Sequence, residues 1–347
     1  MNSVNKIKST AKVLLPLIFV GMLLWPQQAA GAAAEALQLW WQAIVPALLP
    51  FFICFELFMA LDTVQGWARP LEALMRPLFA LPGAASLAVV LGFCCGFPSG
   101  AVIAAALRRR GQISREEAAR LIAFTNNASP LYISLGVAGG ILGCRQAAPV
   151  LLFCQYSGNL LWGLLLSLGK RRHPGPSGPY VLSLPPAAGR PAWGLLLKES
   201  ARQAAENVTL IGCYMCFFSV LTALLLSLWQ LAAPAGVGQG LSAAVAGFWE
   251  MSLGVKALAD LPLQQALPWT ALILAWGGVS VQAQVAAMVA GGGVSLRWYF
   301  LGRVFHCLYS YAMARFLLSF LPLPAAAWPV TGPEPSVFCF GGRGFWP

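Results

Sequence analysis

Between Val13 and Phe320 the chain is a succession of apolar runs, several close to twenty residues long, broken by short segments that hold most of its charge. A bilayer's hydrocarbon core is about 30 Å thick, so a helix needs about 20 apolar residues to cross it. Only 10% of the residues are charged, and mean hydropathy is +0.71. A soluble domain carries about 25% charged residues, and a chain this poor in charge cannot cover a surface that faces water. The expected fold class is all-α integral membrane, with about seven full spans including an N-terminal helix and the lipid bilayer as its solvent.

A net charge of +11 would fit a nucleic-acid binder, but the Lys and Arg sit in short loops between apolar runs. That is the cytoplasmic-loop bias of membrane proteins, so nucleic acid is set aside. Most of the nine cysteines lie inside apolar segments, where a thiol acts as a small packing residue. Cys213 and Cys216 form a CxxC, but within a spanning helix. The two histidines, His173 and His306, are not near paired cysteines, so no metal set and no cofactor is expected. No phosphate-cradling loop and no nucleophile with a histidine base is present, and no enzyme is expected.

The chain divides into an N-terminal helix (1–30), a first repeat with a linking helix (31–168), a basic Pro/Gly-rich linker (169–195), a second repeat (196–321) and a tail read as disordered (322–347). The first apolar run follows Lys6, Lys8 and Lys12 and has the look of a signal peptide. With so many spans downstream, an uncleaved helix is preferred.

Each half contains a spanning helix, an interfacial stretch, an apolar segment interrupted by Gly and Ser, then another span. The interruptions superimpose, with Gly96-Phe97-Pro98-Ser99-Gly100 against Gly278-Val279-Ser280-Val281-Gln282. Between Gln203 and Leu296 the single Lys or Arg is Lys256, whereas 62–83, 108–120 and 169–202 are rich in them. Placing the basic regions in the cytoplasm makes 84–107 and 267–291 re-entrant helical hairpins entering from opposite faces. The halves are then two inverted repeats, a layout that recurs among secondary transporters.

Re-entrant arms would bring helix N-termini to membrane depth at Ser99 and Ser280, where their N–H groups favour an anion. Close helix packing at the small residues is the alternative reading. Asn126, Asn127 and Ser129 lie within an apolar segment beside Pro130, where polar groups need partners or substrate. Arg303 and His306 share one helix face, with Arg303 read either as an anion partner or as an end residue reaching the interface. The expected substrate set is Ser99, Gly100, Asn126, Asn127, Ser129, Ser280, Gln282, Gln284, Arg303 and His306, with Glu56 and Glu250 as candidates for ion coupling.

Several segments occur together in order: Arg76-Pro77-Leu78-Phe79, Gly96-Phe97-Pro98-Ser99-Gly100-Ala101, Phe124-Thr125-Asn126-Asn127-Ala128-Ser129-Pro130, Phe248-Trp249-Glu250-Met251-Ser252 and Trp276-Gly277-Gly278-Val279-Ser280-Val281-Gln282. With them the chain resembles, over roughly 12–320, the YlbJ-like sporulation integral membrane proteins. That family carries the nucleoside-recognition or Gate domain of concentrative nucleoside transporters. The resemblance implies a multi-pass transporter in the mother-cell-derived membrane around the forespore, moving dipicolinate toward the spore. Where the family pattern has Gly-Tyr-Pro, this chain has Gly96-Phe97-Pro98. A nucleoside or other small-solute permease, and a non-transporting scaffold for spore assembly, remain alternatives. Transporters with re-entrant hairpins often assemble symmetrically, so a homo-oligomer stays open.

Overall fold

The computed structural model describes residues 12, 15–61, 64–171, 193–232 and 239–321, and every regular element among them is helical. Most of the expected linker (172–192) and the whole tail (322–347) lie outside the described residues. Helix α1 (Leu15–Leu24) meets the next helix at 104°. That helix, α2 (Pro26–Leu39), starts on a proline, which needs no N–H partner in a first turn. A π-helical turn, Trp40–Ile44, joins it to α3 (Val45–Ala60). Both pack along α9 (Trp193–Ala232), where the Trp40 indole donates to Val208 O at 2.9 Å.

Helix α4 (Val64–Phe79) turns by 87° into the segment leading to α5 (Ser86–Cys95). Glu72 holds that corner, accepting from Arg76 and, at 2.5 Å, from the Gly83 N–H. Helix α6 (Ser99–Arg109) folds back along α5 and ends in the basic loop. Helix α7 (Arg115–Thr125) opens on a capping box: Ser114 Oγ accepts from Glu117 N (3.1 Å), and Glu117 accepts from Ser114 N (2.7 Å). It breaks at 126–129, and the chain resumes helically at Pro130, leading into a π-helical segment, Tyr132–Ile141.

After α8 (Ala148–Arg171) and α9 come α10 (Gln239–Trp249), α11 (Met251–Lys256), α12 (Leu263–Trp276), α13 (Gly278–Met288) and α14 (Arg297–Leu318). One apolar cluster gathers α6 and α7 with α13, and a second gathers the π segment, α8, α11 and α12. Phe97 packs against both, so the helix breaks lie on the seam between them. Many exposed large side chains are apolar, including Phe19, Leu228, Phe300 and Leu308, as a lipid-facing surface requires.

Among the described residues three helices are long and apolar enough to span a bilayer: Arg145–Gly169, Trp193–Leu228 and Leu263–Met288. Counting each bent pair near the N-terminal end as one span gives five, below the seven expected. Helix α14 has the length, 22 residues, but carries Arg297, Arg303, His306 and Arg315. A second expectation also changes. The segment 267–291 is not a folded-back hairpin, because α12 runs on into α13 as one 26-residue span. Its interruption is just two left-handed glycines, Gly277 (φ +79°) and Gly278 (φ +82°), with no proline to stop the helix from resuming.

Candidate functional site: a cavity where broken helices meet

Four interruptions converge. The first is Gly96-Phe97-Pro98, with a cis Phe97–Pro98 peptide and Gly96 at φ 86°, ψ −170°. A Cβ on Gly96 would lie 2.8 Å from Ser129 N in the second interruption, 126–129. The third is Glu250, extended at φ −140°, ψ 122° between α10 and α11. The fourth, Gly277-Gly278, touches two of the others. A Cβ on Gly277 would come within 3.1 Å of the Phe97 ring, and one on Gly278 within 3.0 Å of Trp249 O and Met251 N.

A helix that stops inside a membrane leaves carbonyls and N–H groups that need partners. Asn126 serves two helices at once: its Oδ1 accepts from Ala101 N at the start of α6 (3.1 Å), and its Nδ2 donates to Ile122 O at the end of α7 (2.8 Å). Arg303 Nη1 donates to Asn126 O and to Ala275 O, each at 3.1 Å, closing the C-terminal ends of α7 and α12. Those ends carry negative partial charge, which offsets the cost of a buried guanidinium. Arg303 Nη2 also donates to Asn159 Oδ1 (2.5 Å), and the cation lies 5.2 Å from the Tyr299 ring centroid. Asn159 Nδ2 donates to Asn127 Oδ1 and lies 3.1 Å from His306 Nδ1.

This network is fully buried, with Asn126, Asn127, Asn159, Arg303 and His306 all at 0% exposure. It braces the breaks from behind. The open space is elsewhere, a cavity of about 450 Å³ walled by the first three interruptions and by the first turns of α13, just past the fourth. Its polar groups are Gln42, Ser129, Tyr132, Glu250, Ser252, Ser280 and Gln284, with Phe97 as an aromatic wall. Glu250 Oε2 accepts from Leu253 N (2.8 Å), and the Tyr132 and Ser252 hydroxyls are 3.1 Å apart. Gln284 Nε2 donates to Ser280 Oγ (3.4 Å), and no side chain caps the start of α13. Of the residues walling the cavity, none is Lys, Arg or His.

The expected set therefore divides. Ser129, Ser280, Gln284 and Glu250 come together on the cavity wall. Asn126, Asn127, Arg303 and His306 come together behind it. Ser99 and Gly100 are buried where α6 meets α7, and a Cβ on Gly100 would lie 2.5 Å from Thr125 Oγ1. Gln282 turns back to Trp276 O (3.4 Å). Glu56 is buried about two turns along α3 from Leu48, which reaches the cavity. Four participants were missed: Gln42, Tyr132, Ser252 and Asn159. Asn159 and Gln155 are amides within apolar α8, and a polar group in an apolar segment is the signal that singled out Asn126. Tyr132 and Ser252 flank interruptions but carry no spacing of their own.

No protein-family model and no solved structure matches the chain. It is 30% identical to the sporulation integral membrane protein YlbJ of Bacillus subtilis (strain 168), with 82% of this chain and 76% of that protein covered. Identity at that level over most of both chains settles the relationship: the chain belongs to the YlbJ family of sporulation integral membrane proteins.

Proposed function

We propose that the chain is a carrier of a small solute, and that the cavity is its binding site, opened alternately to the two sides of the membrane. The observation that carries this is the convergence of three helix interruptions and the start of α13 on one partly polar cavity. Non-helical backbone at membrane depth is tolerated around such cavities, and broken helices supply binding groups in transporters. The α5–α6 turn and the α12–α13 break act as the paired gates of two related halves. The basic loops place 108–120 in the cytoplasm.

Dipicolinate, in the membrane around the forespore, is the substrate this reading prefers. Its flat ring suits the wall formed by Phe97 and Tyr132, and a carboxylate suits the uncapped start of α13 beside Ser280. A nucleoside permease is favoured by a different observation: the wall offers hydroxyls, two amides and a carboxylate but no cation. Saturable uptake of labelled dipicolinate and labelled uridine into proteoliposomes separates them. Dipicolinate flux that competes with unlabelled dipicolinate and not with uridine supports the preferred reading, and the reverse supports the permease. No flux of either leaves a scaffold for spore assembly as the better account.

A further inference from the structure

We propose that Glu250 is the protonation site through which a proton gradient drives this carrier, so that solute and proton cross together. The inference rests on the transport reading above and adds the driving ion to it.

Glu250 is a half-buried carboxylate on the cavity wall, and it is the one group there that is charged at neutral pH when solvated. The Leu253 N–H and the Ser252 N–H and hydroxyl donate to the carboxylate, and no salt bridge reaches the side chain among the described residues. The surrounding elements supply no counter-charge. Helices α12 and α13 contain no Lys, Arg, His, Asp or Glu, and the π segment contributes Tyr132 alone. The charges of α9 end at Glu206, before Ile211 and Met215, which reach the cavity. On its own side Lys256 is exposed and 3.6 Å from Glu35, with Asp260 just beyond the end of α11. Arg303 is committed to Asn126 O, Ala275 O and Asn159.

An uncompensated carboxylate in a space that must admit an acid repels its own substrate. Protonation removes the repulsion and converts the group from acceptor to donor, so it can hydrogen-bond a solute carboxylate. Solute and proton then favour each other's binding, as linkage requires. The position suits gating too, since Glu250 sits in the α10–α11 break directly against Gly278. A metal cation is the weaker fit. It needs several converging oxygens, and the nearby Phe248 carbonyl already accepts from Trp276 Nε1 at 2.9 Å.

The test uses the full chain in proteoliposomes with a pH difference of one unit, acidic outside, and labelled dipicolinate or uridine. One coupled proton drives about tenfold accumulation under that gradient. Glu250→Gln keeps an acceptor for the Leu253 N–H but cannot titrate. It is expected to abolish the accumulation that the pH difference drives. A trapped pH dye gives a second reading on the unsubstituted protein: adding solute should acidify the lumen, and that signal does not depend on the variant folding. Flux indifferent to the pH gradient, accumulation driven by Na⁺ instead, or a Glu250→Gln variant that still concentrates solute would each overturn the proton role and leave the carrier standing. Absence of all flux in the unsubstituted protein overturns the carrier reading, and the proton role with it.

Discussion

The α5–α6 and α12–α13 interruptions look alike as strings of Gly and Ser, yet they make different structures. In the first, Gly96, Phe97 and Pro98 separate helices that fold back along each other. In the second, Gly277 and Gly278 interrupt a span that continues. The first is clamped: Gly96 abuts Ser129, Gly100 abuts Thr125, and Asn126 caps the start of α6. The second has no side-chain cap at the start of α13, and Gly277 faces the end of the Phe97 ring. The first interruption is clamped on three sides and the second lacks a side-chain cap, and the cavity lies between them. The clamp also depends on Arg303, which ties α7 to α12 from behind.

The largest expected effect comes from cutting that tie. Arg303→Ala leaves the Asn126 and Ala275 carbonyls without their donor, at about 1–3 kcal/mol for each unpaired buried group. The variant should lose thermal stability in detergent and yield little folded protein. Arg303→Lys keeps the charge but not the fork that serves several acceptors, and should fall between. If Arg303→Ala were as stable as the parent and lost only solute affinity, the residue would belong to the binding site after all.

Next is a direct comparison of the two glycines. Gly96 lies in a region of backbone space open essentially to glycine, so Gly96→Ala costs about 1–3 kcal/mol before its contact with Ser129 N is counted. Gly277 is left-handed, a conformation costing other residues about 1–2 kcal/mol. Its neighbour is the tip of a ring that can shift. Gly96→Ala should lower the melting temperature clearly more than Gly277→Ala. Equal losses would mean that the second break is as tightly held as the first.

The membrane class was legible because it depends on composition and run length, which no tertiary contact alters. The positions of the breaks were legible for a similar reason, since Pro98, Pro130 and paired glycines interrupt helices locally. The path after a break was not. Whether a chain turns back or runs on depends on which surfaces receive it, and Gly277-Gly278 has no proline to force the matter. The grouping of the polar residues was not legible either. Arg303 looked like an anion partner because a charge in an apolar helix needs compensation. Sequence could not reveal that two interrupted helices present their carbonyl ends to it. Ser129, Ser280 and Gln284 were singled out because hydroxyls and amides at a break are either caps or ligands, and all three line the cavity.

The finest distinction between the interruptions concerns their serines, which sequence treats as equivalent. Ser280 lies on the cavity wall, whereas Ser99 is fully buried with its hydroxyl unpartnered. A hydrogen bond is worth about 0.5–1.5 kcal/mol net, so Ser280→Ala should raise the KM for transported solute about two- to tenfold. Ser99→Ala removes a buried hydroxyl that bonds to nothing, so transport should stay within about twofold of the parent, with stability unchanged or slightly raised. The two variants share one chemistry and differ only in which interruption they touch, so KM for the same solute compares them directly. A larger KM change from Ser99→Ala would move the binding site to the α5–α6 turn.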